Sequence, residues 1–387
     1  MASRAKGYVV LVVAVVLQIC LGGIYAWSVF AGPLQKQFGY LGWQTQFVFG
    51  TFMLTFTGSL LWTGRLQDRF GPRPLTVASG VLLGLAYTVS WLGGSNFLLL
   101  WLGSGLLTGL AVGAGYVCPI ATAVKWFPDR KGLVSGLAVL GYGASAILLT
   151  AIAKPLLEQG WQVLDIFGAI GAIFGPAVVL LGLLLFLPGP IEHSAAKQFH
   201  RRDLAADGRF WWMFVAFFTA TVPALIFIGS LKDIARFLGN SPAIAYGAVV
   251  AMAIGNSAGR VAWGFVYDRL GGRRSALLSI ASNAVIPAAV LVLGGTAGGI
   301  LAISFLAGFC YGGCFGIYAP ETARIYGPSV MGSAYPCVLL AHGIAAVAGP
   351  PIVGRVFDLT QSYAPGLVGG AAIAVIGLSV CAVWRRG

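Results

Sequence analysis

Arg260 is the side chain in this sequence whose position most demands an explanation. It lies in a stretch, residues 243–267, that carries no other charge, and an Arg at the centre of an apolar helix costs on the order of 2.5–3.5 kcal/mol on insertion scales. A guanidinium is a planar, two-pronged donor that matches a carboxylate. Asn256 stands one turn earlier on the same face, where it can orient the guanidinium or a bound oxygen. The competing explanation is snorkelling to the surface. Asp268 is eight residues on, about 12 Å of helix rise away, which stretches that explanation.

His342 is the second polar centre. It sits deep in another uncharged run, and histidine, with an unperturbed pKa near 6.5, can carry a proton at physiological pH; the alternative is a neutral ring bonded to a neighbouring helix. Around these two lie tyrosines at helical spacings. Tyr25 is seven residues from Gln18, Tyr116 follows the ladder Gly105, Gly109, Gly113, Tyr142 stands between Gly141 and Gly143, Tyr311 is one turn before Phe315, and Tyr335 is seven before His342. Buried phenols need a hydrogen-bond partner, and a wet central cavity would supply one. Interfacial belts account for Tyr8, Tyr40 and Tyr363 instead.

The elements that must hold these residues are set by composition. The chain has 387 residues with 24 Lys+Arg and 11 Asp+Glu, and only 9% of them are charged against about 25% in soluble proteins. With 58% apolar residues, its solvent is the bilayer. The net charge of +13 is scattered thinly and forms no stripe of the kind nucleic-acid binders show, so no nucleic acid is expected. Apolar runs of membrane-crossing length with at most one charged residue fall at 8–30, 44–64, 75–93, 97–122, 132–153 and 163–187, then at 210–230, 243–265, 275–293, 298–320, 332–353 and 363–384. The expected architecture is an all-α membrane protein of twelve spans, with six in 1–190, a polar linker at 191–208 and six in 209–387. The first run is read as a helix, because it is long for a signal peptide and lacks a small-x-small cleavage site. The six cysteines all lie in apolar runs and are read as packing residues. Cys310 and Cys314 share a face but have no accompanying His or carboxylate cluster, so neither metal nor cofactor is expected.

Assigning alternate loops to one side puts eighteen of the 24 Lys and Arg with both termini and the linker, and the positive-inside rule makes that side cytoplasmic. Two loops on that side repeat. Gly64-Arg-Leu-Gln-Asp68-Arg69-Phe-Gly71-Pro-Arg73 and Gly264-Phe-Val-Tyr-Asp268-Arg269-Leu-Gly271-Gly-Arg273 match at a displacement of 200. The glycines permit a tight reversal between helices, and Asp and Arg can pair there as a cytoplasmic gate.

These paired loops resemble the Gly-x-x-x-Asp-Arg-x-Gly-x-Arg loop of the major facilitator superfamily. The resemblance extends over nearly the whole chain and implies two six-helix bundles that rock about a central site. Span one, from Gln18 through Gly23, Tyr25, Trp27, Ser28 and Phe30, and span eleven, from Ala341-His342-Gly343 to Gly349-Pro350, look like the bacterial oxalate/formate antiporter branch. Asn256-x-x-x-Arg260 looks like the span-eight Asp-x-x-x-Arg of the animal monocarboxylate transporters. The resemblance implies that Arg260 binds a substrate carboxylate, with Asn256, Tyr25, Tyr116, Tyr142, Tyr311 and Phe315 lining the site. It also implies a departure from the antiporter branch, because His342 stands where that branch has a second cation, a Lys. One permanent positive charge suits a monocarboxylate of the lactate, pyruvate or acetate type, since a second, unpaired carboxylate would cost several kcal/mol to desolvate. The animal proteins' span-one Lys is missing and Asn256 replaces their Asp, which leaves His342 as the proton-coupling candidate. The expectation is therefore a proton-coupled transporter rather than an enzyme, monomeric, in a prokaryotic inner membrane. The alternative is a dicarboxylate/monocarboxylate exchanger.

Overall fold

The computed structural model describes residues 2–189, 201–327 and 330–384. Most of the linker read at 191–208, including Glu192, His193, Lys197 and His200, lies outside the described residues, as do Arg385 and Arg386. The described residues are helical throughout their apolar runs. In order they form α1 (Ala2–Leu21), α2 (Trp27–Phe38), α3 (Gly42–Phe70), α4 (Pro72–Leu92), α5 (Phe97–Trp126), α6 (Lys131–Glu158), α7 (Val163–Leu183) and α8 (Gly208–Phe237). A helix of 52 residues, Pro242–Leu293, follows and is broken at Gly271, so it is divided here into α9 (242–270) and α10 (272–293). Three more complete the chain, α11 (Ala297–Tyr326), α12 (Met331–Thr360) and α13 (Ala364–Val383). Among the described residues ten helices are long and apolar enough to cross a membrane, and the pair α1 and α2, bent by 40°, makes an eleventh. The break at Gly271 raises the number to the twelve expected from the apolar runs.

The chain forms two compact units. One comprises Met1–Ala26 with Thr55–Ala195, the other Trp27–Leu54 with Ala196–Gly387. The hairpin that carries the end of span one and the start of span two thus belongs by contact to the second unit. Within that unit the Asp358 carboxylate accepts from the Gly42 and Trp43 amides at 2.8 and 3.0 Å, satisfying two donors that the first turn of α3 leaves open. Gln46 Nε2 donates to the Gly229 carbonyl at 3.0 Å.

The repeated loops take the same conformation in both units. Gly71 has φ 83° and Gly271 has φ 74°, a left-handed backbone that glycine adopts without penalty. Arg73 Nε donates to the Leu185 carbonyl at 3.1 Å beyond α7, and its guanidinium lies 4.5 Å from the Phe186 ring centroid. Arg273 likewise donates to the Ala382 carbonyl at 2.7 Å in α13. Each arginine therefore ties its loop to the last helix of its own half. Asp68 and Asp268 are exposed, and the ion pairs within 4 Å among the described residues, Arg209–Asp207 and Arg324–Glu321, include neither of them. Arg69 lies over the neighbouring Phe70 ring. In both loops the motif's last arginine bonds a backbone carbonyl. Gly271→Ala should lose roughly 1–3 kcal/mol of stability, because φ 74° with ψ 165° is a backbone region that glycine alone populates readily. Gly264→Ala, whose added methyl meets nothing within 4 Å, should gain up to about 1 kcal/mol; thermal unfolding in detergent compares the two.

Candidate functional site

The depth at which Arg260 stands is fixed by a seam of glycines. On α9, a Cβ added to Gly255 or Gly259 would overlap the carbonyl oxygen of Phe305 or Phe309. On α11, one added to Gly308 or Gly312 would overlap the carbonyl oxygen of Met252 or Asn256, and one on Gly316 would meet that of Arg260 at 2.9 Å. Small residues at these spacings let the two backbones touch, as in closely packed membrane helices. The consequence is that side chains flanking the seam meet across it.

Arg260 is half-buried. Its Nε donates to Asn256 Oδ1 at 3.0 Å, and its guanidinium carbon lies 4.5 Å from the centroid of the Phe315 ring on α11, a cation–π distance. Phe315 in turn packs edge-on against His342, centroids 5.5 Å apart, and against Tyr311 at 5.4 Å. The Tyr311 hydroxyl and His342 Nε2 are 2.7 Å apart. Both residues are buried, at 0% and 1% exposure, so this bond joins α11 to α12 in a dry setting. Asn256 Nδ2 and His342 Nδ1 are buried and have no hydrogen-bond partner, which is uncommon for buried polar atoms. Phe217 of α8 closes the cluster, 6.1 Å from the imidazole and stacked at 4.5 Å on Tyr318.

Tyr311→Phe should destabilise by about 1–3 kcal/mol, the usual penalty for stranding a buried polar partner. Tyr318→Phe is the matched control, because the Tyr318 hydroxyl is buried without a partner and its removal should cost nothing. Thermal unfolding of the two variants in parallel reads the difference.

In the first unit the sequence-predicted tyrosines also gather. Tyr142 packs edge-on against Tyr25 at 5.6 Å and against Tyr116 at 5.1 Å, and Phe56 joins both Tyr116 and Tyr142 at 5.3 and 6.2 Å. The seven-residue spacing of Gln18 and Tyr25 does not place them side by side on one helix. α1 ends at Leu21 and a short 3-10 turn, Gly23–Ala26, follows, and at the break Gly22 packs against the Tyr142 carbonyl where any Cβ would overlap it. Gln18 Nε2 instead donates to the Tyr116 carbonyl at 2.8 Å.

Several residues of these clusters escape sequence reasoning. Phe56 and Phe217 are two among 24 phenylalanines, with nothing in their neighbours to mark them. Glu321, 1% exposed, accepts from Arg324 at 2.8 and 2.9 Å and from the Tyr267 hydroxyl at 3.0 Å; its three-residue offset from Arg324 was a readable helical pairing. Asp233 is a further acid that lies inside a helix, α8. Gly255-Asn-Ser257-Ala-Gly259 has the Gly-x-Ser-x-Gly spacing of a nucleophile elbow, but it sits mid-helix and Ser257 Oγ donates to the Ala253 carbonyl at 3.2 Å. Its glycines serve the seam, and the strand-to-helix turn that would expose such a serine is not there.

The sequence model of the Major Facilitator Superfamily matches residues 11–350. The chain belongs to this superfamily. Relatives of this facilitator include the oxalate:formate antiporter of Oxalobacter formigenes, 27% identical over 351 residues, which span 88% of this chain and 82% of the antiporter. Human monocarboxylate transporter 11 is 30% identical over 327 residues, 80% of this chain and 68% of its own. A crystal structure of the nucleoside transporter NupG superposes over 100% of both chains with a TM-score of 0.73 at 14% identity, a likeness of fold. The facilitator is thus a multi-pass membrane transporter whose relatives include carriers of monocarboxylates and of oxalate and formate.

Proposed function

We propose that this facilitator is a secondary active transporter of small monocarboxylates, of the lactate, pyruvate or acetate type, moving them together with a proton. The observation that carries the reading is Arg260, a half-buried guanidinium inside a membrane helix, held through Nε by Asn256 and covered on one side by Phe315. A guanidinium is a planar, charged fork of the shape a carboxylate binds. A bound anion neutralises the charge, and the two six-span bundles, 1–190 and 209–387, then rock about the occupied site. Tyr311, Phe315 and Asn256 contact the substrate in this reading, and in the first unit Tyr25, Tyr116 and Tyr142 do so as well. His342 is the proton-coupling candidate on its own unit. The protein works as a monomer in the cell membrane with both termini cytoplasmic.

The similarity to an oxalate:formate antiporter favours exchange of a dicarboxylate as the second reading. That reading needs two cations. A protonated His342 would offer two N–H donors, and among the described residues only Tyr311 hydrogen-bonds the ring, which favours the single-cation reading.

Uptake of labelled L-lactate into proteoliposomes tests the proposal. The expected result is accumulation above protein-free vesicles when the inside is alkaline. Lactate uptake that ignores the pH gradient at fixed membrane potential would remove the proton, and no uptake of any small monocarboxylate would remove the substrate class.

A further inference from the structure

Span seven carries a second ionisable pair, Lys232 and Asp233, one turn from the end of α8 away from the linker. Among the described residues the ion pairs within 4 Å do not include these two side chains. Lys232 Nζ donates to the Val29 carbonyl of α2 at 3.2 Å and lies 4.7 Å from the Tyr246 ring centroid of α9. Asp233 is half-buried, and its Oδ2 is buried with no hydrogen-bond partner. The backbone of α2 covers it so closely that a Cβ on Gly32 would stand 2.5 Å from Oδ1 and 3.6 Å from Oδ2. The other charged groups nearby are occupied. Arg236 donates to the Asn240 carbonyl at 2.6 Å, the Asp358 carboxylate holds the Gly42 and Trp43 amides, and Lys36, one turn beyond Gly32, is exposed. Tyr363, at the corner between α12 and α13, is the remaining titratable group within electrostatic reach of Asp233.

From this geometry we infer that Asp233 is a proton-binding site of the transporter, protonated while α2 covers it and releasing its proton to water when α2 moves off α8. An ionised carboxylate with a buried, undonated oxygen and no paired cation costs several kcal/mol, and the neutral acid avoids most of that. Once α2 separates, water solvates the carboxylate and the proton leaves. Proton occupancy is thereby linked to the packing of span one on span seven, with the Gly32 surface lying against the carboxylate whose Oδ2 is buried. The inference rests on the proton-coupled reading above and supplies that reading with an acid, which Asn256 no longer provides.

Two measurements on the full-length protein test it. The first needs no substrate: the infrared C=O stretch of a protonated carboxyl, recorded at neutral pH, should be weaker in Asp233→Asn than in wild type, and identical spectra overturn the inference. The second uses L-lactate in proteoliposomes. One proton per lactate lets a one-unit pH gradient sustain about tenfold accumulation, which Asp233→Asn should reduce to about onefold while still exchanging lactate in counterflow. Tenfold accumulation by the variant overturns the inference. Should Asp233→Asn not fold, Asp233→Glu should keep accumulation but shift its pH profile, and an unshifted profile overturns the inference. If wild type moves no monocarboxylate, the substrate reading fails, and the infrared band still decides Asp233.

Discussion

Proteoliposomes carrying Arg260→Ala should take up L-lactate about 30- to 3,000-fold more slowly than wild type at subsaturating substrate. The range follows from the 2–5 kcal/mol lost when one partner of a buried, hydrogen-bonded charge pair is truncated, at about 1.4 kcal/mol per factor of ten. The defect should appear as weakened binding, because the carboxylate would enter a site with no cation to replace its lost water. Arg260→Lys separates charge from shape. It keeps the positive charge but loses the fork and the Nε bond to Asn256 Oδ1, so it should fall between Ala and wild type. A lysine variant equal to wild type would mean that charge alone is read, and an alanine variant equal to wild type would mean that Arg260 snorkels and plays no part in recognition.

The second large effect is expected far less obviously, at a residue with no side chain. Gly312→Val places a Cβ onto the Asn256 carbonyl oxygen, so α9 and α11 must part. Overpacking of this kind costs roughly 1–3 kcal/mol in stability. The transport defect should exceed that, because Arg260 stands on one side of the seam and Phe315 on the other, 4.5 Å apart, and misplacing a functional group by about 1 Å can cost about 100-fold. Gly369→Val is the control, since it is exposed and its Cβ meets nothing within 4 Å; it should fold and transport as wild type does. Equal behaviour of the two variants would contradict the view that the seam positions the site.

What could be read before the structure followed from physical rules that act over short stretches of chain. The spans were legible because hydrocarbon tolerates little charge, and the repeated loops because Gly71 and Gly271 must both turn left-handed. Arg260 with Asn256 was legible because a four-residue offset on a helix is a contact, and the structure makes it one. The Tyr311 to His342 bond joins two helices, and the sequence offered only the alternatives for His342 without naming its partner. Cross-helix choices of this kind depend on packing, as does the selection of Phe56 and Phe217 from many similar residues. The break after Leu21 packs against the Tyr142 carbonyl more than 100 residues away, a contact that no local pattern announces. Lys232-Asp233 follows the apolar run 210–230, and in sequence such a pair reads as the polar end of a span. The helix in fact continues to Phe237, with the Lys232 ammonium accommodated by the Val29 carbonyl and the Tyr246 ring.

In the proposed site Phe315 covers one face of the Arg260 guanidinium and Asn256 takes Nε, and a planar carboxylate is expected to bind better than a bulky or tetrahedral anion. A neutral amide of the same size lacks the charge and should bind weakly.

Thermal stabilisation of the purified protein by small acids is the most direct test of Arg260 as the carboxylate site. L-lactate at about 100 times its dissociation constant should stabilise wild type by about 2.7 kcal/mol, lactamide at equal concentration should not, and Arg260→Ala should show no shift with either. Equal stabilisation of Arg260→Ala and wild type by L-lactate would contradict the account.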